Sequence, residues 1–174
     1  MKIQIKNIKI NDAFSEETIC FTADVYVNGT KTAYAKNDGH GGCTFYNSYE
    51  NKRELLRQAE AFAQSLPSTT ETFGETTITL ESNLERMIDD VIYKASNKKE
   101  NAKFQKELLK ATETAIVFGV PNSGSFRSIP FQGNPKLAKM MLTEEGREAI
   151  QSLVLRIKGQ LKKGEVIINK NIPL

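Results

Sequence analysis

The feature that most constrains the fold is a period-two run of apolar residues that ends at an Asn-Gly dipeptide. Apolar and polar side chains alternate over residues 18–27, which is typical of a strand with one face in a core. Asn28-Gly29 follows, and a type I′ turn requires the positive φ angles that these residue types tolerate. The sequence therefore predicts an antiparallel hairpin whose second strand covers residues 30–36. A two-residue turn sets the expected cross-strand pairs, which are Val27 with Thr30, Val25 with Thr32 and Ala23 with Tyr34.

Further segments complete a predicted unit over residues 1–67. Residues 2–10 alternate as a strand, with one slip near Asn7 that predicts a β-bulge. A short strand is expected at residues 43–46. A helix over residues 52–65 has an apolar stripe that would cover the sheet, formed by Leu55, Ala59, Phe62 and Leu66. The predicted fold class is therefore α+β, beginning with an antiparallel sheet covered by a helix.

The rest of the chain is expected to be mainly helical and basic, with short strands. Residues 68–76 contain the turn-forming and small residues of a connector, and they predict a boundary before residues 77–174. One compact domain overall is the alternative. Ser82 and Glu85 fit a capping box, in which the hydroxyl and the carboxylate each satisfy a free N–H group at the start of a helix.

Shorter patterns place the remaining elements. The apolar stripe of the helix after Ser82 is interrupted at residues 96–101, which predicts either one bent helix or two helices. A buried strand is expected at residues 114–118 and a loop at residues 120–133. Asn134-Pro135 predicts the start of a short helix, and Thr143 the cap of the next. A final strand is expected at residues 166–168.

Charge is distributed unevenly along the chain. The net charge is +3, but residues 1–93 hold nine Lys and Arg against fourteen Asp and Glu, whereas residues 94–174 hold fifteen against seven. No run approaches the roughly 18 apolar residues of a membrane span, and the first residues alternate lysine with isoleucine instead of forming a signal sequence. We therefore expect a cytoplasmic protein without a membrane partner. Two cysteines and one histidine are too few for a zinc site, so free thiols, no metal and no cofactor are expected.

The best candidate binding site is a glycine-rich loop that contains the only histidine. Glycine allows positive φ angles and lets backbone N–H groups approach a phosphate, a nucleotide or a loop of a partner closely. The alternative is a tight connection between strands, in which the glycines serve geometry alone. The candidate binding residues are Asn37, Asp38, Gly39, His40, Gly41, Gly42, Cys43 and Tyr46.

Three less favoured hypotheses about catalytic or binding residues remain open. Asp38, His40 and Cys43 have the residue types of a thiol nucleophile, its base and an orienting carboxylate, although no catalytic residue is assigned. A hydroxyl-rich loop with an arginine has the composition of an anion site. Lysines near one face of a predicted helix could follow the phosphates of a nucleic acid. The secondary binding candidates are Ser123, Ser125 and Arg127 in that loop, and Lys98, Lys99 and Lys103 on that helix.

The run Lys36-Asn37-Asp38-Gly39-His40-Gly41-Gly42-Cys43-Thr44-Phe45-Tyr46, followed by Ala59-Glu60-Ala61-Phe62-Ala63 and Ser65-Leu66-Pro67, resembles small uncharacterised proteins of tailed bacteriophages and prophages. The resemblance covers the N-terminal part only. It implies a phage accessory protein in the host cytoplasm that binds and inhibits a host component. The expected function is thus a non-enzymatic binding protein whose partner is a host protein complex, such as a defence complex, or a small nucleotide. A nucleic-acid-binding accessory protein is the alternative, and a Cys/His hydrolase-type enzyme ranks lower.

Overall fold

The computed structural model describes residues 1–74 and 76–172. Its chain divides into two compact units, Met1–Lys98 and Lys99–Leu174. Sheets and helices are present in separate segments, which confirms the predicted α+β class. The division falls within a long helix and not at residues 68–76, because those residues belong to a hairpin of the first unit, as described below.

A four-stranded antiparallel sheet with the strand order β1-β2-β3-β4 forms the frame of unit 1. Each strand pairs with the strand that follows it in the sequence. The predicted N-terminal antiparallel sheet is confirmed. Its strands are β1 (Ile3–Ile10), β2 (Phe21–Val27), β3 (Thr30–Asn37) and β4 (Phe45–Ser48).

The predicted bulge in β1 is present at Asn7. This residue has a φ of 53°, and the pairing with β2 shifts between Lys6 and Lys9. One extra residue reverses the alternation of side chains once. The shift keeps all four isoleucines of β1 against the core, namely Ile3, Ile5, Ile8 and Ile10.

The β2–β3 hairpin turns at Asn28-Gly29 as predicted, with φ angles of 49° and 84°. The expected pair Val27 with Thr30 is confirmed, but the other two expected pairs are wrong. A second bulge follows Lys31, so that Val25 lies opposite Ala33 and Ala23 opposite Ala35. The bulge accommodates Thr32 as an extra residue and thereby places two small alanines, in place of Thr32 and Tyr34, opposite the buried strand residues.

Two helical segments cover one face of this sheet. Helix α1 (Arg53–Gln64) is confirmed, but the centre of its buried face is Leu56, Ala59 and Ala63, and the predicted Leu55 and Phe62 are only partly buried. The second segment is the N-terminal part of α2 (Leu84–Thr114). From it, Leu84, Ile88 and Ile92 join the same core.

The predicted capping box at the start of α2 is wrong. Asn83 caps the helix, since its Oδ1 accepts a hydrogen bond from the N–H group of Arg86 at 2.8 Å. The Ser82 hydroxyl donates instead to the carbonyl of Pro67 at 2.7 Å. Glu85 accepts a hydrogen bond from the N–H group of Thr44 and therefore faces the sheet. The helix continues without interruption through residues 96–101.

Residues 68–76 do not form the expected connector. They contain β5 (Thr69–Phe73) and the start of β6 (Thr76–Leu80), which pair as an antiparallel hairpin. The threonine-rich segments favour extended backbone, and Gly74, with a φ of 60°, lies in the turn between the two strands.

Unit 2 contains a three-stranded antiparallel sheet with the order β8-β7-β9 and the helices α3 and α4. The buried strand predicted at residues 114–118 is confirmed as β7. The predicted loop at residues 120–133 contains an additional strand, β8. The bounds are β7 (Ala115–Gly119), β8 (Arg127–Pro130), α3 (Leu137–Met140), α4 (Glu144–Lys158) and β9 (Val166–Ile167).

Of the two helix starts predicted in unit 2, one is confirmed and the other is wrong. Thr143 caps α4 as predicted, because its hydroxyl accepts a hydrogen bond from Gly146. Asn134 does not start a helix. Its φ of 48° is left-handed, and its N–H group closes a turn on Phe131, so α3 begins later, after Lys136. Over residues 1–74 and 76–172, no helix has both the length and the apolar content needed to cross a bilayer.

Candidate functional site

The glycine-rich loop between β3 and β4 is organised by the side chain of Asn37. Its Oδ1 accepts hydrogen bonds from the Thr18 hydroxyl and from the N–H group of Gly39, both at 2.8 Å. Its Nδ2 donates to the carbonyl of Gly42, also at 2.8 Å. Asn37 is buried, and all of these bonds stay within the chain. Asn37 therefore determines the shape of the loop, and it also contributes to the lining of the cleft described below.

Gly39 and Gly41 hold the loop against the segment that precedes β2. The carbonyl of Gly39 accepts hydrogen bonds from the N–H groups of Glu16, Glu17 and Thr18 at 3.0–3.2 Å. A Cβ atom at Gly39 would overlap the carbonyl of Phe14. The N–H group of Gly41 donates to the Thr18 hydroxyl at 3.3 Å. Two of the three glycine N–H groups that were candidates for holding a phosphate thus have partners inside the protein.

The side chains with reactive groups are exposed around this loop but are not joined as a catalytic set. His40 Nδ1 lies 3.2 Å from Glu16 Oε2, and Asp38 forms an exposed ion pair with Lys36. Cys43 is exposed, and it is a free thiol. In the described part of the chain no hydrogen bond links Cys43 with His40, so the loop geometry gives no support to thiol chemistry.

A cleft of about 290 Å³ opens between the end of this loop and the first turns of α2. Its volume is at the lower end of the roughly 300–1,000 Å³ of small-molecule sites, and it suits a side chain or a small fragment. Ile19, Phe21 and Ile92 supply apolar walls. Gly42, Cys43 and the exposed Tyr93 contribute to its lining.

The charged residues that line the cleft are two carboxylates, Glu85 and Asp89, four residues apart on α2. Both are positioned by the buried Thr44. Its N–H group donates to Glu85 Oε1 at 2.9 Å, and its hydroxyl donates to Asp89 Oδ1 at 2.6 Å. Burial raises the pKa of Asp89 above 3.8, and the nearby charges of Glu85 and Asp90 act in the same direction, against the lowering effect of the Thr44 hydrogen bond. An ionised Asp89 here favours a cationic partner.

Tyr46 lies beside this site on the face of the sheet that the helices cover. Burial raises the pKa of its hydroxyl to about 12, with further contributions from Glu60 and Glu85. Its phenol therefore stays neutral at physiological pH. Tyr46 contributes to packing under α1 and to the negative surroundings of the cleft, and it is not among the residues that line the cleft.

The secondary candidates lie elsewhere. The Ser123 hydroxyl donates to the carbonyl of Ser125 and also lies near its side chain, so these serines form a local turn. Arg127 forms 2.6 Å contacts with both carboxylate oxygens of Glu165, and its guanidinium lies 4.6 Å from the centroid of the Phe118 ring. Its charge is therefore neutralised within unit 2. Lys98, Lys99 and Lys103 lie on the exposed surface of α2.

Sequence reasoning identified the loop but missed the cleft. Sequence patterns do not identify Thr44, Glu85 and Asp89 as a set, because Glu85 fits a capping box at the start of its own helix and no local pattern links Asp89 to Thr44. One signal was available: the spacing of Glu85 and Asp89 places both carboxylates on one helix face. That they meet Thr44, over forty residues earlier, depends on how α2 crosses the sheet.

Comparison with known proteins gave no relatives: no family model, no curated protein and no solved structure matched the chain. The functional conclusion therefore depends on the geometry and charge of the site.

Proposed function

We propose that this chain is a non-enzymatic binding protein that recognises a basic side chain of a partner protein in the cleft between residues 42–44 and α2. The observation that carries the proposal is the combination of an apolar lining with two carboxylates, Glu85 and Asp89. A lysine or arginine side chain has a matching structure, because its aliphatic stem is apolar and its head is cationic.

Charge favours one of the two ligand classes expected from the sequence. A nucleotide phosphate in the cleft would have to approach Glu85 and Asp89. At the loop it would meet two further carboxylates, because Glu16 lies beside His40 and Glu17 beside Gly41. The N–H groups of Gly39 and Gly41 are already bonded within the protein. Like charges repel in a site that is partly shielded from water. A protein partner is therefore favoured over a nucleotide.

The resemblance of residues 35–67 to phage proteins supplies the second part of the proposal. A small accessory protein that binds a basic segment of a host complex could block the surface on which that segment normally acts. On this proposal the exposed Cys43 and Tyr93 border the contact.

Selection from a random peptide library displayed on a surface tests the proposal. We expect selected peptides to contain Arg or Lys. The Glu85→Gln/Asp89→Asn double variant should bind them roughly 10- to 150-fold more weakly, because the loss of one hydrogen bond between charged groups costs about 1.5–3 kcal/mol. Both amide side chains keep an oxygen that can accept from Thr44, so the fold is retained. Glu100→Gln/Glu107→Gln changes the charge equally on the exposed surface of the same helix and serves as the matched control.

Two further readouts localise the contact. Bound peptide should slow alkylation of Cys43, measured by mass spectrometry of the digested protein. Affinity should increase as the pH rises through the raised pKa of Asp89, because the cation binds the ionised carboxylate. Selected peptides without cationic residues, or equal loss of binding in the control variant, would contradict the proposal.

A further inference from the structure

The outer face of the β1–β4 sheet is the second surface in unit 1 with a distinctive chemistry. The core helices pack on the inner face, where Ala23, Val25, Ala33 and Ala35 are buried. Cross-strand pairing places Tyr34 next to Asp24 on one side and Asn47 on the other, in the alternate set of side chains. This outer set therefore faces away from α1 and from the N-terminal part of α2.

Aromatic rings form a continuous group on this outer face. The centroid of the Tyr34 ring lies 5.9 Å from that of Phe45 and 6.3 Å from that of Tyr49, with interplanar angles of 54° in both pairs. Tyr26 occupies the same face on β2, opposite Lys31. Phe45 is 50% exposed, although burial of a phenylalanine is strongly favoured in folded proteins. These rings offer a surface on which planar groups can stack.

Lysines surround the rings. Lys6 and Lys9 on β1 lie opposite Asp24 and Thr22, and Lys36 on β3 lies opposite Phe45. Lys6 Nζ is 4.6 Å from the centroid of the Tyr26 ring, and Lys31 Nζ is 4.8 Å from that of Tyr49. Lys31 is paired with Asp24 and Lys36 with Asp38, so Lys6 and Lys9 supply the positive charge that this face offers to a ligand.

The main carboxylate of the face is neutralised by its neighbours. Asp24 accepts hydrogen bonds from Asn7 Nδ2 at 2.7 Å and from the Tyr49 hydroxyl at 2.8 Å, and it pairs with Lys31 at 3.0 Å. Next to it, Lys9 and Thr22 help to line a shallow depression of about 460 Å³. The face thus combines stacking surfaces, cations and a recess within one sheet.

We infer that this outer face binds single-stranded nucleic acid, with bases stacked on Phe45 and the neighbouring Tyr34 and phosphates paired with Lys6 and Lys9. Aromatic rings stack on any unpaired base, and lysines supply the charge that phosphates require. A duplex keeps its base faces inside the helix, so the half-exposed Phe45 ring can stack only on an unpaired base. The inference is independent of the cleft, which lies against α2. It also differs from the expectation that the α2 lysines contact nucleic acid.

Fluorescence anisotropy with labelled single-stranded DNA and RNA of roughly 12 nucleotides tests the inference, since such proteins occupy roughly 4–16 nucleotides. We expect binding to single strands that weakens with salt. Phe45→Ala should weaken it roughly 5- to 150-fold, the usual effect of removing one stacked ring. Lys9→Gln should lower the slope of log affinity against log salt by about 0.7, the contribution of one phosphate contact. The DNA and RNA arms establish which sugar is preferred.

Matched controls separate this face from other surfaces. Leu155→Ala removes an exposed apolar side chain from α4, and Lys98→Gln/Lys103→Gln removes cations from α2. Both controls should bind like the wild type. Circular dichroism establishes that each variant is folded. The inference is overturned if the wild type binds no single strand at low salt, if duplex DNA binds equally well, or if the α2 variant loses binding while Phe45→Ala retains it.

Discussion

Replacing Gly39 by alanine tests whether the glycine-rich loop exists for close packing. Gly39 has a φ of 91°, and a Cβ atom would overlap the backbone carbonyl of Phe14. Backbone cannot rotate away as the end of a side chain can. The segment containing Phe14 would therefore have to move, together with the N–H groups of residues 16–18 that bond to the Gly39 carbonyl.

The structure gives the size of the effect. A left-handed conformation costs an alanine about 1–2 kcal/mol relative to glycine. Loss of two of the three hydrogen bonds on the Gly39 carbonyl would cost about 1–3 kcal/mol more. Alanine also lowers the entropy of the unfolded chain, which returns about 0.4–1 kcal/mol. We expect Gly39→Ala to lower the free energy of unfolding by about 1–4.5 kcal/mol.

Two matched variants separate the contributions. Gly29 has a φ of 84° but no atom within 4 Å of an added Cβ, so Gly29→Ala should cost only about 1 kcal/mol, from the conformation alone. Gly42 has neither a positive φ nor a close neighbour, so Gly42→Ala should change stability by less than about 0.5 kcal/mol. Urea denaturation followed by circular dichroism measures all three. Equal losses for Gly39→Ala and Gly29→Ala would refute the argument that close packing at Phe14 determines the loop.

Two other predictions concern polar groups. Burial raises the pKa of Asp24, but hydrogen bonds from Asn7, Tyr49 and Lys31 lower it by more, so the pKa lies below 3.8. The ionised carboxylate therefore stabilises the fold above that value, and this contribution is lost as the pH falls through the lowered pKa. Asp24→Asn should therefore be less stable than the wild type at neutral pH, and the difference should disappear in strong acid. Urea denaturation at several pH values measures this difference. A difference that stays constant across pH would count against the prediction. Asn169, which is 1% exposed, accepts a hydrogen bond from the N–H group of Val117 at 2.6 Å and donates to the carbonyl of Ala115 at 3.0 Å. Asn169→Ala should destabilise unit 2 by about 2–4 kcal/mol in thermal or urea unfolding, because both backbone groups lose their partner, and a loss under about 1 kcal/mol would contradict this.

Local sequence patterns correctly predicted a turn, a bulge and a helix cap, because each of these features depends on residues that are neighbours in the sequence. The Asn28-Gly29 turn, the Asn7 bulge and the Thr143 cap each involve only a few consecutive residues. Predictions failed where a distant partner competed with a local one. Ser82 bonds to Pro67 in place of a helix N–H group, and Glu85 bonds to Thr44. The β2–β3 register shifted at Thr32 because the core requires small residues opposite β2.

The sequence by itself determined the α+β class, the hairpin and the position of a glycine-rich loop, because side-chain periodicity and the φ preferences of Asn and Gly act within a few residues. Only the tertiary structure decided what surrounds that loop. The crossing of α2 over the sheet brings Glu85 and Asp89 to Thr44, and strand pairing gathers Tyr34, Phe45 and Tyr49 on one face. Contacts between residues far apart in sequence depend on packing of the whole core, which no local pattern specifies.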